Sequence, residues 1–138
     1  MADERAARMA LPRPEALPPQ RLCRGDELVE RGRAIVFDVL HFREPARAFA
    51  LRFEGRVVCY LNRCVHVPTE LDWQPGEFLD ADREFIICSI HGAAYAASSG
   101  RCIGGPCGRG RLVVLDVVER DGAVWWLPTR DTRPPFDD

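Results

Sequence analysis

Two short runs pair a thiol with an imidazole: Cys64-Val65-His66 and Cys88-Ser89-Ile90-His91. Thiolate and imidazole are the side-chain donors that suit iron and zinc, so two loops facing each other would offer a metal two Cys and two His. Each run stands where a stretch of strand-forming residues gives way to a loop, a place from which a side chain can be aimed without bending a sheet. Structural zinc sites usually space their Cys by two to four residues and their His by three to five. Here each pair is mixed and the first has one intervening residue, so the ligand types fit zinc while the spacing does not. A zinc-stabilised interaction module, in which the metal pins the loops and function lies on the surface, stays open at this point.

The two motifs resemble the CxH and CxxHG loops of the Rieske 2Fe-2S protein family, the second with Gly92 directly after His91. In a Rieske centre one iron is held by two Cys and the other by two His. The resemblance runs over roughly residues 22–128 and includes Gly100 and Gly104-Gly105-Pro106, which is similar to the family's proline loop covering the cluster. It implies one 2Fe-2S cluster per chain, with Cys64 and Cys88 on the buried iron and His66 and His91 on the outer one. It also implies a small cluster-binding subdomain, about residues 62–106, inserted in a larger antiparallel β-sandwich or barrel. The implied function is one-electron transfer with no small-molecule substrate at the cluster. Redox proteins, a reductase or an oxygenase, would be the partners. Respiratory-complex members carry an extra Cys in each ligand loop; the matching positions here are Thr69 and Ile90, so the resemblance is to the ferredoxin-like branch. High-potential members place a Ser two residues after the second ligand His and a Tyr four after it, where this chain has Ala93 and Tyr95. Tyr95 either packs as a core aromatic or donates its hydroxyl to a cysteine sulfur, which would stabilise the reduced cluster.

Strands must position these loops. Residues 34–39 and 48–53 are short runs rich in strand formers, and 56–61 follows after the turn signal Glu54-Gly55. Phe78-Leu79 and residues 84–87 flank the polar turn 80–83 and lead into Cys88; residues 95–97 and 101–103 flank Ser98-Ser99-Gly100; residues 112–118 and 123–127 flank Arg120-Asp121-Gly122. The predicted fold class is all-β, with residues 26–30 as the sole helical candidate.

With 138 residues the chain suits one domain. Residues 1–20 and 129–138 are Pro-broken and charged; the first reads as a mobile tail and the second as mobile or loosely docked, around a folded unit at about 21–128. The apolar fraction of 46% is ordinary, and no run approaches the length of a membrane span. The acids Asp3 and Glu4 and the prolines before Gln20 fit neither a secretory signal nor a transit peptide, so the cytoplasm is the expected compartment. A net charge of -2 without a basic block disfavours nucleic acid as a partner. Without an export signal, six cysteines point to metal or redox chemistry instead of a disulfide framework.

Other residues invite weaker readings. His41 has no Cys at motif spacing, and Cys23 and Cys59 read as small buried hydrophobes. Cys102 and Cys107 flank the proline loop closely enough for a disulfide, which a reducing cytoplasm disfavours; a redox sensor using them is a further alternative. Arg63, Arg101, Arg109 and Arg111 lie near the ligand loops and are either solvated charges or a docking surface for an acidic partner. Trp73, Trp125 and Trp126 read as packing groups. An oxygenase itself would need a second, mononuclear iron site on a larger domain, for which there is neither room nor ligands.

Overall fold

Strands and tight turns account for most of the backbone in the computed structural model, which describes residues 17–65, 69–90 and 92–135. Among the described residues ten strands follow in chain order: β1 (Gln20–Arg24), β2 (Ile35–His41), β3 (Glu44–Phe53), β4 (Arg56–Leu61), β5 (Phe85–Ile87), β6 (Ala94–Ala96), β7 (Cys102–Gly104), β8 (Val117–Arg120), β9 (Ala123–Trp126) and β10 (Thr132–Arg133). They form three antiparallel sheets, ordered β1-β9-β8, β10-β2-β3-β4 and β5-β6-β7. The predicted all-β architecture, with a small sheet inserted between β4 and β8, is the one observed. The helical candidate at 26–30 is reduced to a 3-10 turn at Gly25–Glu27. Among the described residues no helix is long and apolar enough to cross a membrane.

The turns follow from residue chemistry. Phe53 faces Arg56 across Glu54 (φ 53°) and Gly55 (φ 79°), a two-residue loop with both positions left-handed, which matches the twist of the flanking strands. Asp121 and Gly122 repeat it between β8 and β9. Phe42 and Arg43 make the same turn between β2 and β3 without a glycine, at φ 49° and 69°. That turn is costlier for side chains bearing a Cβ.

The core is organised by β3, whose successive residues point to opposite faces. Phe49, Leu51 and Phe53 enter one apolar cluster, together with Tyr60, Phe78, Ile86 and Tyr95. Ala48 and Ala50 enter the other, together with Leu61, Val124 and Trp126. The middle of β3 is therefore buried on both sides, which explains why Ala48 to Leu51 is an unbroken apolar run where a half-exposed strand would alternate. The first cluster fastens the inserted sheet to the larger body. Phe78 stacks on Phe49 with ring centroids 3.7 Å apart and planes at 11°.

Two segments depart from expectation. The run at 112–118 does not make one strand: Tyr60 bridges Val114, Leu61 N–H donates to Val113 O at 3.0 Å and Leu115 N–H donates to Cys59 O at 2.9 Å, and regular pairing with β9 begins at Val117. The chain changes sheets at Asp116. β1, with three polar residues in five, carried no strand pattern and is held by pairing with β9. The segment after 128 contributes β10, which pairs with the His41 end of β2.

Candidate metal centre

The Cys64 loop hangs from a buried amide. Asn62 is 3% exposed; its N–H donates to Arg47 O at 2.8 Å, its Oδ1 accepts from Leu71 N–H at 2.7 Å, and its Nδ2 donates to Asp72 Oδ1 at 3.1 Å. The loop is thus clamped at its neck, and Cys64 N–H donates across it to Thr69 O at 2.8 Å. Outside the neck, the Arg47 guanidinium grips Glu70 as a fork at 2.9 and 2.7 Å. Sequence reasoning used Asn62 as a boundary and missed its structural part; an amide directly after an apolar strand and before a ligand loop was the available signal. Asn62→Leu removes the acceptor of a buried N–H and should cost about 2 kcal/mol of stability. Urea unfolding of the protein as purified measures this.

The Cys88 loop leaves β5 and turns tightly: Cys88 N–H donates to Ala93 O at 2.8 Å and Gly92 N–H to Cys88 O at 2.9 Å. Ser89 N–H donates to Leu71 O at 3.3 Å, which ties this loop to the neck of the first. Cys64 and Cys88 are 2% and 1% exposed, and both enter the apolar cluster that also contains Leu71, Ala93 and Tyr95. His66 and His91 lie outside the described residues. Their chain neighbours do not: Val65 is 43% and Ile90 63% exposed.

A third segment closes over the second loop. Gly105 has φ 85°, and a Cβ there would sit 2.8 Å from both Ala93 Cα and Gly92 O, so a side chain would push the Gly104–Pro106 turn away. Cys102 and Cys107 flank this turn with Cα atoms 5.7 Å apart and form a disulfide. The expectation of free thiols rested on compartment alone, whereas the turn sets the separation within bonding range.

Tyr95, fully buried on β6, points its hydroxyl into the site. The oxygen accepts from Val65 N–H at 3.1 Å and lies 3.4 Å from Cys64 Sγ. With Cys64 deprotonated as a metal ligand the sulfur has no hydrogen to give, so in this contact the phenol O–H is the donor. Burial, and then the Cys64 neighbour, hold this hydroxyl above its ordinary pKa, so it stays protonated. Tyr60 braces the inserted sheet from below by donating to Ala97 O at 2.6 Å, with burial pushing its pKa up to about 12.

The remaining candidates sit elsewhere. His41 Nδ1 pairs with Thr132 Oγ1 at 2.7 Å, while Cys23 and Cys59 are buried in the second cluster. Trp126 fills the core and Trp125 is half-buried, whereas Trp73, which donates from Nε1 to Leu79 O at 3.1 Å, is 45% exposed and is not a core packing group. Arg63 is half-buried; Arg101, Arg109 and Arg111 are exposed.

The family model for the Rieske [2Fe-2S] domain matches residues 19–127. No curated protein matches. Among solved structures, the ferredoxin of carbazole 1,9a-dioxygenase from Nocardioides aromaticivorans IC177 is 23% identical, with a TM-score of 0.64 over 82% of this chain and 100% of that one. A chain of the reduced complex between oxygenase and ferredoxin in carbazole 1,9a-dioxygenase gives 19% identity and a TM-score of 0.65, covering 82% of this chain and 29% of that one. A complex of reduced oxygenase and oxidized ferredoxin gives 18% identity and a TM-score of 0.60, over 79% and 92%. This chain therefore spans the whole of the Nocardioides ferredoxin but under a third of the chain matched in the reduced complex.

The site suits the cofactor of that family. Two thiols buried in one apolar cluster cannot ionise there cheaply without a cation, and the Tyr95 hydroxyl aimed at Cys64 Sγ is the kind of contact that stabilises a metal-bound, electron-rich sulfur. Both the match over residues 19–127 and these local contacts lead to one conclusion: the chain belongs to the Rieske [2Fe-2S] domain family and binds one 2Fe-2S cluster.

Proposed function

We propose that this protein is a one-electron carrier in which Cys64 and Cys88 hold one iron of the cluster and His66 and His91 the other. The observation that carries the assignment is a gradient of exposure along both loops. Each Cys is almost wholly buried, while Val65 and Ile90, the residues directly before the two histidines, are 43% and 63% exposed. The thiols therefore face the core, and each loop reaches the surface at the residue before its histidine, which is where this reading has electrons leave. When bound, the cluster supplies reversible one-electron chemistry without bond rearrangement. The protein's part is to bury the thiolates, to donate from Tyr95 to Cys64 Sγ, and to hold the loops together through Asn62, Ser89 and Gly105.

The working unit is residues 21–128, with the cluster-binding subdomain at about 62–106; of the flanking segments 1–20 and 129–138, the second docks on β2 through Thr132 and Arg133. The partners are redox proteins, a reductase as donor and an oxygenase as acceptor; the carbazole 1,9a-dioxygenase ferredoxin, similar in fold, is found in complex with its oxygenase. No small molecule reacts at the cluster. The compartment is the cytoplasm, where the buried thiols Cys23 and Cys59 stay reduced.

A reductive titration tests this reading. The purified protein should take up one electron per chain, reversibly, with a single midpoint and no substrate present. A protein that takes up none would contradict it.

A further inference from the structure

Charge is distributed unevenly around the cluster loops. The chain carries a net charge of -2, yet from Phe85 to Leu115 it contains no Asp or Glu and three Arg. Arg101 and Arg111 face each other directly in an antiparallel bridge, an arrangement that like charges disfavour unless an anion lies between or above them. Among the described residues Arg101, Arg109 and Arg111 make no ion pair, whereas Arg31, Arg47 and Arg52 in the body of the fold are each paired with Glu.

Two of the three sit against the site, and the third is bridged to one of them. Arg101, directly before edge strand β7, and Ile103 within it are both exposed, Ile103 by 50%, and Cys102 N–H between them donates to Gly110 O at 2.9 Å. Arg109 and Arg111 flank Gly110, where a Cβ would run into the side chain of Val65 in the first ligand loop. The turn between these arms, at Gly105, touches Gly92 and Ala93 in the second. The basic segment thus wraps both loops, and exposed Ile103 and Val65 provide an apolar centre.

We propose that Arg101, Arg109 and Arg111, ringed about Ile103 and Val65, form a docking face for a carboxylate-rich patch on the redox partner. The proposal rests on the carrier reading above and adds the chemistry of the partner. An apolar centre with a charged rim is the anatomy of a specific interface. The guanidinium fork matches carboxylate geometry, and the rim charges steer encounter more than they add affinity. The face is local, which is why it does not show in the net charge.

The sign of a salt effect separates local from net charge. Reduced protein is mixed with hexacyanoferrate(III), and separately with tris(phenanthroline)cobalt(III), each accepting one electron, between about 10 and 200 mM NaCl. A net charge of -2 repels the anionic oxidant, so its rate would rise with salt; the basic face predicts that it falls about fivefold while the cationic oxidant speeds up. In R101E/R111E, with an unchanged visible spectrum, both slopes should reverse. Flavodoxin hydroquinone, an acidic protein donor, should reduce the oxidised parent at least about tenfold faster than this variant at low salt. An anionic-oxidant rate that rises with salt in the parent, or slopes unaltered in the variant, would overturn the proposal. So would tight RNA binding abolished in the variant with no change towards flavodoxin. A parent that binds no cluster would instead defeat the carrier reading itself, so the two failures are distinguishable.

Discussion

His66→Ala and His91→Ala will each be purified with at least about tenfold less iron and acid-labile sulfide than the parent, and without its visible absorption. The loss is expected to be near complete because a ligand, and not a neighbour of a ligand, is removed. Losing an outer partner of a metal ligand already costs about 10- to 100-fold in metal affinity. No described side chain is placed to take over: His41 is engaged with Thr132, and Cys23 and Cys59 belong to the other core cluster. His41→Ala is accordingly the control, with cluster content unchanged. Iron and sulfide assays on matched preparations read the result. A histidine variant with the parent's spectrum would mean that the assigned ligands are wrong.

Tyr95→Phe will lower the reduction potential by about 40 mV. The phenol O–H points at Cys64 Sγ, and a donor to sulfur stabilises the reduced, more electron-rich state more than the oxidised one. If the difference is about 1 kcal/mol, typical of one hydrogen bond, the one-electron scale of 59 mV per 1.4 kcal/mol converts it to that shift. The ring is fully buried, so Phe keeps the packing, though Val65 N–H loses its acceptor. Rieske centres span about -150 to +300 mV, and Ala93 offers no hydroxyl where high-potential relatives have Ser. The parent is therefore expected at or below roughly +80 mV at neutral pH, in the lower half of that range. Ala93→Ser should raise it. Protein-film voltammetry decides: a parent near +300 mV, or no shift in Tyr95→Phe, would refute the corresponding step.

Much of this was legible in the sequence because the relevant signals are local. Glu54-Gly55 and Asp121-Gly122 announce hairpins by the conformations they permit, and both appear as left-handed pairs. Cys-x-His and Cys-x-x-His-Gly declare metal chemistry by residue type and spacing alone. What escaped depends on partners distant in the chain. β1 exists because β9 offers it an edge, and the Phe42-Arg43 turn carries no turn residue at all. Residues 112–115 look like the start of a strand continuing to 118, but β4 captures them first through Leu61 and Cys59. Asn62 looked like a boundary because its value lies in the groups it bonds, Leu71 and Asp72, which no local pattern reveals. The Cys102–Cys107 disulfide depended on how tightly Gly104–Pro106 turns, and a compartment argument cannot supply that.

Metal and sulfide analysis of the anaerobically purified protein, combined with electron paramagnetic resonance before and after reduction, tests the central claim most directly. The expected result is two iron and two acid-labile sulfide per chain with negligible zinc, silent when oxidised and paramagnetic after one electron is added. Stoichiometric zinc without sulfide, and no signal on reduction, would contradict it.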